Sequence, residues 1–364
     1  MAVVRLIIAC IAALVGIILA APVILLWLVF EAVALLTSLG ARILEPNVIA
    51  ANDLVEFVPT IGWKPKPNLD AYYLTMVKDG AFHARTDAQG WPDPSNVSNS
   101  NVVVFGDSYA FGYGVDSRHA FWHQEKNISI KSIGAPGYNM VQELILMRQF
   151  SDKLRGKLVV WFIYFGNDLY DNLVPNNQRY RSPFVRKVAN AKEWQITTEH
   201  VSLSSWPSNS DPKYYDRLAE LSCSSYLADR AYSACEFLIS EACHICSEVG
   251  ARLTIMTIPD AVQLTPKGQQ TLAQAAPDSA TFHVDFPDKK IKEIASKFAI
   301  PMVALKDHLT AADYKERDPH WNEKGHQRVA AVIRQVWESI AKNGQLSGSD
   351  QQQNAPILEA NTLR

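Results

Sequence analysis

From residue 101 the chain settles into a rhythm. A short, almost wholly apolar run leads to a polar word rich in glycine and aspartate or asparagine, and apolar positions at helical spacing follow. Asn101–Phe105 (NVVVF) predicts a buried strand ending at Gly106-Asp107-Ser108. Ile128–Ile133 predicts a second, ending in GAPGYN at 134–139, with helical spacing over Met140–Phe150. Leu158–Phe165 (LVVWFIYF) is a third, ending in GND at 166–168; Arg252–Ile258 is a fourth, ending in Pro259-Asp260; Ile300–Leu305 is a fifth. Runs rich in β-branched and aromatic residues, alternating with helices, indicate a mostly parallel sheet covered on both faces. Ligands of such sheets sit beyond the carboxyl ends of the strands, where Ser108, Gly137 and Asn167 fall.

The pattern differs elsewhere. Leu6 to Phe30 is about 25 residues without a charge, roughly 37 Å as a helix and more than the ~30 Å core of a bilayer. This predicts a membrane anchor over 1–44, with a transmembrane helix at about 6–30. A cleaved signal peptide and a helical hairpin turning at Pro22 are the alternatives. Residues 45–100 are rich in proline, glycine and asparagine and read as a lead-in wrapped on the domain. The domain itself is expected over 101–341. A polar and aromatic insertion at 169–250 interrupts it, carries a long helix or helix pair from about 214 to 249, and is expected to cap one side of the site. Val329, Val332, Ile333, Val336 and Ile340 recur at helical spacing behind Asn322, a candidate N-cap, and the tail at 342–364 reads as disordered.

Composition adds limits. With 48% hydrophobic residues the 364-residue chain can build a sizeable core. A formal charge of −2 gives no basic excess, so a nucleic-acid partner is not expected. Of the five cysteines, Cys10 lies in the apolar run, and Cys223, Cys235, Cys243 and Cys246 fall in one helical region. The CHIC word at 243–246 lacks the second pair that a zinc site needs, so buried thiols or a disulfide are the expectation. Only Arg5 flanks the near side of the apolar run, whereas Arg42, Lys64 and Lys66 follow it, so charge counting specifies its orientation poorly and does not favour an external domain.

The polar words supply the parts of an acyl-transfer site. A serine attacks an ester when a base takes its proton, an acid group orients that base and donors wait for the oxyanion. Ser108 follows a predicted strand through a tight turn. Asp318 and His320 in DPHW sit two apart, so the carboxylate can reach imidazole Nδ1 while Nε2 faces outward. The backbone N–H groups of Ser108 and Gly137 and the Asn167 amide can form an oxyanion hole. Each word alone also fits an ordinary turn. A metal reading would add His326 to Asp318 and His320, but no further ligand cluster supports it, and neither metal nor cofactor is expected.

Taken in order, GDS with Ser108, the glycine word with Gly137, GND with Asn167 and the Asp318/His320 word resemble the four blocks of the SGNH hydrolases, also called GDSL esterases and lipases, over about 101–340. The resemblance implies a three-layer α/β/α flavodoxin-like sandwich and metal-free ester hydrolysis or acyl transfer. Two positions depart from the common pattern: Tyr109 replaces the usual leucine, and DxH replaces DxxH. The DxHW form is similar to that of alginate O-acetyltransferase-like bacterial proteins. The expected function is removal of a small acyl group, acetyl above all, from a carbohydrate. Trp321 and Tyr138 are the candidate sugar-binding aromatics. The alternatives are an O-acetyltransferase acting on a polysaccharide hydroxyl and a non-catalytic, membrane-tethered binding protein. The domain is expected outside the cytoplasm by analogy with the family.

Overall fold

The computed structural model describes residues 21–22, 24–29, 31–33, 48–49, 54–74, 81–92, 95–175, 180–187, 193–199, 201, 214–316 and 318–342. The chain divides into two units, Met1–Ala50 and Ala51–Arg364. In the first, residues 24–29 are helical, and Ile24, Leu25, Leu26, Trp27, Leu28 and Val29 are all exposed. Among the described residues no helix is long and apolar enough to cross a membrane. Residues 6–20 of the predicted anchor and the predicted tail from 343 lie outside the described residues.

The second unit is built on a five-stranded sheet: β1 (Val102–Gly106), β2 (Ile130–Gly134), β3 (Leu158–Tyr164), β4 (Arg252–Ile258) and β5 (Met302–Ala304). All its neighbouring pairs are parallel and the order is β2-β1-β3-β4-β5. Successive side chains on a strand point to opposite faces, and here both faces are buried. Val103, Phe105, Val159, Trp161, Ile163, Leu253 and Ile255 pack into one core with helices α2 (Met140–Phe150), α5 (Tyr226–Val249) and α7 (Phe286–Lys297). Val102, Val104, Leu158, Val160, Phe162, Met256 and Ile258 pack into the other with α8 (Glu323–Lys342). The three-layer α/β/α arrangement follows from the largely apolar runs, whose residues face helices on both sides of the sheet. All five predicted strands are present, the fourth with the predicted bounds and the others with ends shifted by at most two residues.

Strand order reverses at β1. The chain steps outward to β2, then crosses to the far side of β1 to form β3, so the ends of β1 and β3 mark the switch point at which open parallel sheets bind their ligands. Short helices follow these ends: α1 (Ser108–Phe111) after β1 and α3 (Asp168–Asp171) after β3. Within 169–250 a hairpin of Phe184–Lys187 and Trp194–Thr197 precedes α4 (Tyr214–Leu221) and α5. The helix α5 covers a sheet face, so it belongs to the layers and not to a cap. The last sheet segments are joined through α6 (Pro266–Ala275) and α7.

The lead-in forms two antiparallel hairpins, Val55–Val58 with Gly62–Pro65 and Asp70–Leu74 with Ala81–Arg85. Ile61, Trp63 and Trp91 from this region are buried in the same core as α2 and α5, so the lead-in is part of the folded unit.

Candidate active site

The loop that carries Ser108 is short. Asp107, at the end of β1, caps α1 by accepting the Tyr109 N–H at 3.0 Å, which stands Ser108 at the first helical position. Gly134 at the end of β2 admits this loop: a Cβ there would lie 2.5 Å from the Gly106 carbonyl oxygen and 2.6 Å from the Ala110 methyl. Ser108 is only 8% exposed, as suits a reacting group kept largely from water.

The structure brings Ser108, His320 and Asp318 into one chain of contacts. Ser108 Oγ and His320 Nε2 are 2.7 Å apart, and Asp318 Oδ1 is hydrogen-bonded to both His320 Nδ1 and the His320 backbone N–H, the latter at 2.9 Å. With Asp318 accepting at Nδ1, that nitrogen carries the proton, so Nε2 is the acceptor for the serine O–H. A second contact, Ser108 Oγ to Asp107 Oδ2, is longer at 3.4 Å. Burial pushes the Asp318 carboxyl up, but the hydrogen bonds and charge of His320 outweigh it and leave the group below its ordinary value. It remains ionised beside the imidazole. Asp107 behaves in the opposite way, since burial raises it to about 6 against the hydrogen bond from Tyr109 and the charge of His320.

The three candidate oxyanion donors come from the ends of the neighbouring strands β2, β1 and β3. Ala135 to Tyr138 form a turn closed by Tyr138 N–H to Ala135 O at 3.2 Å, with Pro136 and then Gly137 at φ +75°, the conformation of a type II turn. Asn139 ends the turn and caps α2 with a capping box. Asn167 donates from Nδ2 to the Tyr138 carbonyl at 2.9 Å, which fixes its amide plane and ties the β3 end to the glycine turn. Asn167 Oδ1 is buried without a partner, and flipping the amide would set two oxygens against each other.

Two sequence-based assignments are corrected. Trp321 and Tyr138 are fully buried and offer no face to a sugar. Trp321 is core, packed edge-on against Tyr109, Phe162 and His326. Tyr138 packs on Trp63 and donates its hydroxyl to the Trp63 carbonyl at 2.7 Å. The aromatic beside His320 that keeps some exposure is Tyr113, with ring centroids 4.7 Å apart. Its only sequence signal is a position five residues after the serine, too weak to have singled it out.

His326 is buried and stacks on Phe121, whose N–H points to its Nδ1 at 3.3 Å. Burial lowers it to about 3, so it stays neutral in the core. Among the described residues no group of three or more histidine, cysteine, aspartate or glutamate side chains is placed to hold a metal. Cys243 and Cys246 are free thiols one turn apart on α5, with Cys223 and Cys235 free and buried.

No protein-family model and no curated protein matches this chain. Solved structures similar to it include a lipolytic protein of the G-D-S-L family from Veillonella parvula, at 12% identity over 65% of this chain and 97% of that one, with a TM-score of 0.38. Others are a GDSL-like lipase from Bacteroides thetaiotaomicron (14%, 65% and 87%, TM-score 0.37) and an inhibitor-bound aryl esterase of M. smegmatis (8%, 65% and 98%, TM-score 0.38). Likenesses this distant carry no argument about chemistry, which the site's own geometry has to supply.

Proposed function

We propose that this chain is a serine-dependent ester hydrolase. The observation that carries the reading is the relay from Asp318 through both nitrogens of His320 to Ser108 Oγ at the carboxyl end of a parallel strand. His320 Nε2 takes the serine proton as Oγ attacks the ester carbonyl. The oxyanion lies toward the Ser108 and Gly137 N–H groups and the Asn167 amide. The imidazolium, stabilised by Asp318, returns the proton to the leaving alcohol, and water attacks the acyl-serine by the same path.

A small acyl group such as acetyl fits a serine as buried as Ser108 and a base partly covered by Tyr113. A carbohydrate as the alcohol part rests on the sequence resemblance alone, since Trp321 and Tyr138 are buried. We also read Leu6–Phe30 as a membrane anchor with the second unit outside the cytoplasm. The anchor is supported by the uncharged run itself and by the exposure of every side chain from Ile24 to Val29, and the outward placement rests on the sequence resemblance alone.

The direct assay is hydrolysis of 4-nitrophenyl acetate by the full-length protein in detergent, with fluorophosphonate labelling followed by mass spectrometry. Turnover with label on Ser108 is expected. Labelling at another residue, or turnover unaffected by Ser108→Ala, would sink the assignment.

A further inference from the structure

The departure at position 109 has a structural counterpart. Tyr109, next to the proposed nucleophile, is 1% exposed, and its hydroxyl donates to the carbonyl of Pro319, the residue between Asp318 and His320. That carbonyl belongs to the same peptide unit as the His320 N–H, which Asp318 Oδ1 holds at 2.9 Å. The unit is therefore gripped at both ends, its oxygen by Tyr109 and its N–H by Asp318. A peptide plane fixed in this way fixes the N–Cα bond on which the His320 side chain is mounted, and the Asp318 bond to Nδ1 then sets the ring so that Nε2 faces Ser108.

The ring reinforces the grip. Its centroid lies 5.0 Å from that of His320, 4.7 Å from Trp321 and 4.7 Å from Tyr164. One residue thus joins the helix carrying Ser108 to a loop 210 positions away and sets the separation of serine and imidazole. Leucine or phenylalanine could fill the same volume, but neither can donate to the carbonyl.

Resting on the ester hydrolase reading, we propose that Tyr109 is a positioning residue that holds the Pro319–His320 peptide, and that its hydroxyl is what lets a DxH loop present its histidine to Ser108. The compact loop and the tyrosine form one device. In a two-residue spacing Asp318 must bond both the backbone and the ring of the same histidine, which leaves the Pro319 carbonyl turned inward and in need of a buried donor.

The test compares full-length wild type with Tyr109→Phe, which removes the hydroxyl and keeps the ring. With 4-nitrophenyl acetate, kcat is expected to fall about 10- to 100-fold, the scale of a small misplacement of a catalytic group, while KM stays within about twofold. The downfield proton signal of His320 Nδ1–H should broaden through faster exchange. The phenylalanine variant combined with Asp318→Asn should lose less than the product of the single losses, because both act on one peptide. A variant with wild-type kcat and an unchanged His320 signal would overturn the proposal, as would a kcat loss matched by an equal loss of folded protein. Should Tyr109→Phe fail to fold, exchange of the wild-type Tyr109 hydroxyl proton decides: a slowly exchanging, hydrogen-bonded signal supports the clamp, and rapid exchange refutes it. Wild type that neither turns over nor reacts with fluorophosphonate would instead refute the hydrolase reading, and the NMR and exchange results would still judge the clamp.

Discussion

At the scale of single residues, the site behaves as one unit because each member is held by the next. Ser108→Ala and His320→Ala should each remove most turnover, and the double variant should be scarcely worse, which steady-state kinetics with 4-nitrophenyl acetate will show. Asp107 offers a test of electrostatics. Its folded-state value of about 6 lies above the ordinary 3.8, so between these pH values the folded chain keeps a proton that the unfolded chain has released. Stability is then greatest below 3.8 as far as this group is concerned, and falls as pH rises toward 6. Asp107→Asn, which retains an oxygen for the Tyr109 N–H, should flatten that part of the fall when Tm is followed from pH 4 to 7. An unchanged slope would show that Asp107 ionises normally. The polar residues that make this site were legible because chemistry restricts them to few types. Tyr109 stood out only as a departure from the common pattern, and Tyr113 not at all, since an aromatic side chain reads as core until its neighbours in space are known. The same ambiguity misled in the other direction at Trp321 and Tyr138, where packing claimed the side chains that seemed suited to a sugar.

At the scale of elements, the strands were readable because burial on both faces of the central ones leaves mostly apolar runs, broken by residues such as Lys131 and Ser132, while β5 at the edge is only half-buried. The strand ends were readable because glycine, aspartate and asparagine mark where the chain must turn. The lead-in was not, because its short hairpins alternate polar and apolar positions only briefly and owe their place to contacts far along the chain. Trp63 Nε1 donates to the Pro136 carbonyl at 3.0 Å and Gln142 Nε2 to the Ile61 carbonyl at 2.7 Å, so the first hairpin braces the glycine turn of the site. That turn also depends on the positive φ of Gly137, where a Cβ costs roughly 1–2 kcal/mol. Gly137→Ala should lower Tm by several degrees and depress kcat more than KM, because the donated N–H moves with the turn. A variant of normal kcat would remove Gly137 from the oxyanion assignment.

At the scale of the whole molecule, the apolar run at the amino terminus is a matter for extraction. If Leu6–Phe30 spans a bilayer, the protein should stay in the membrane pellet through high salt and carbonate and leave it only with detergent. Release by carbonate, or a mature amino terminus beyond residue 20, would replace the anchor with a peripheral or cleaved segment. The separation of 212 positions between serine and imidazole has a consequence in time as well as in space. A ribosome adding roughly 5–20 residues per second makes the serine some 10–40 s before the histidine. Until then the newly made serine has no base, and a chain that stalls anywhere in between is an inert hydroxyl in an open sheet. On the proposed reading the site can act only once His320 and α8, the last helix among the described residues, have been made, when nearly all of the core around the site already exists.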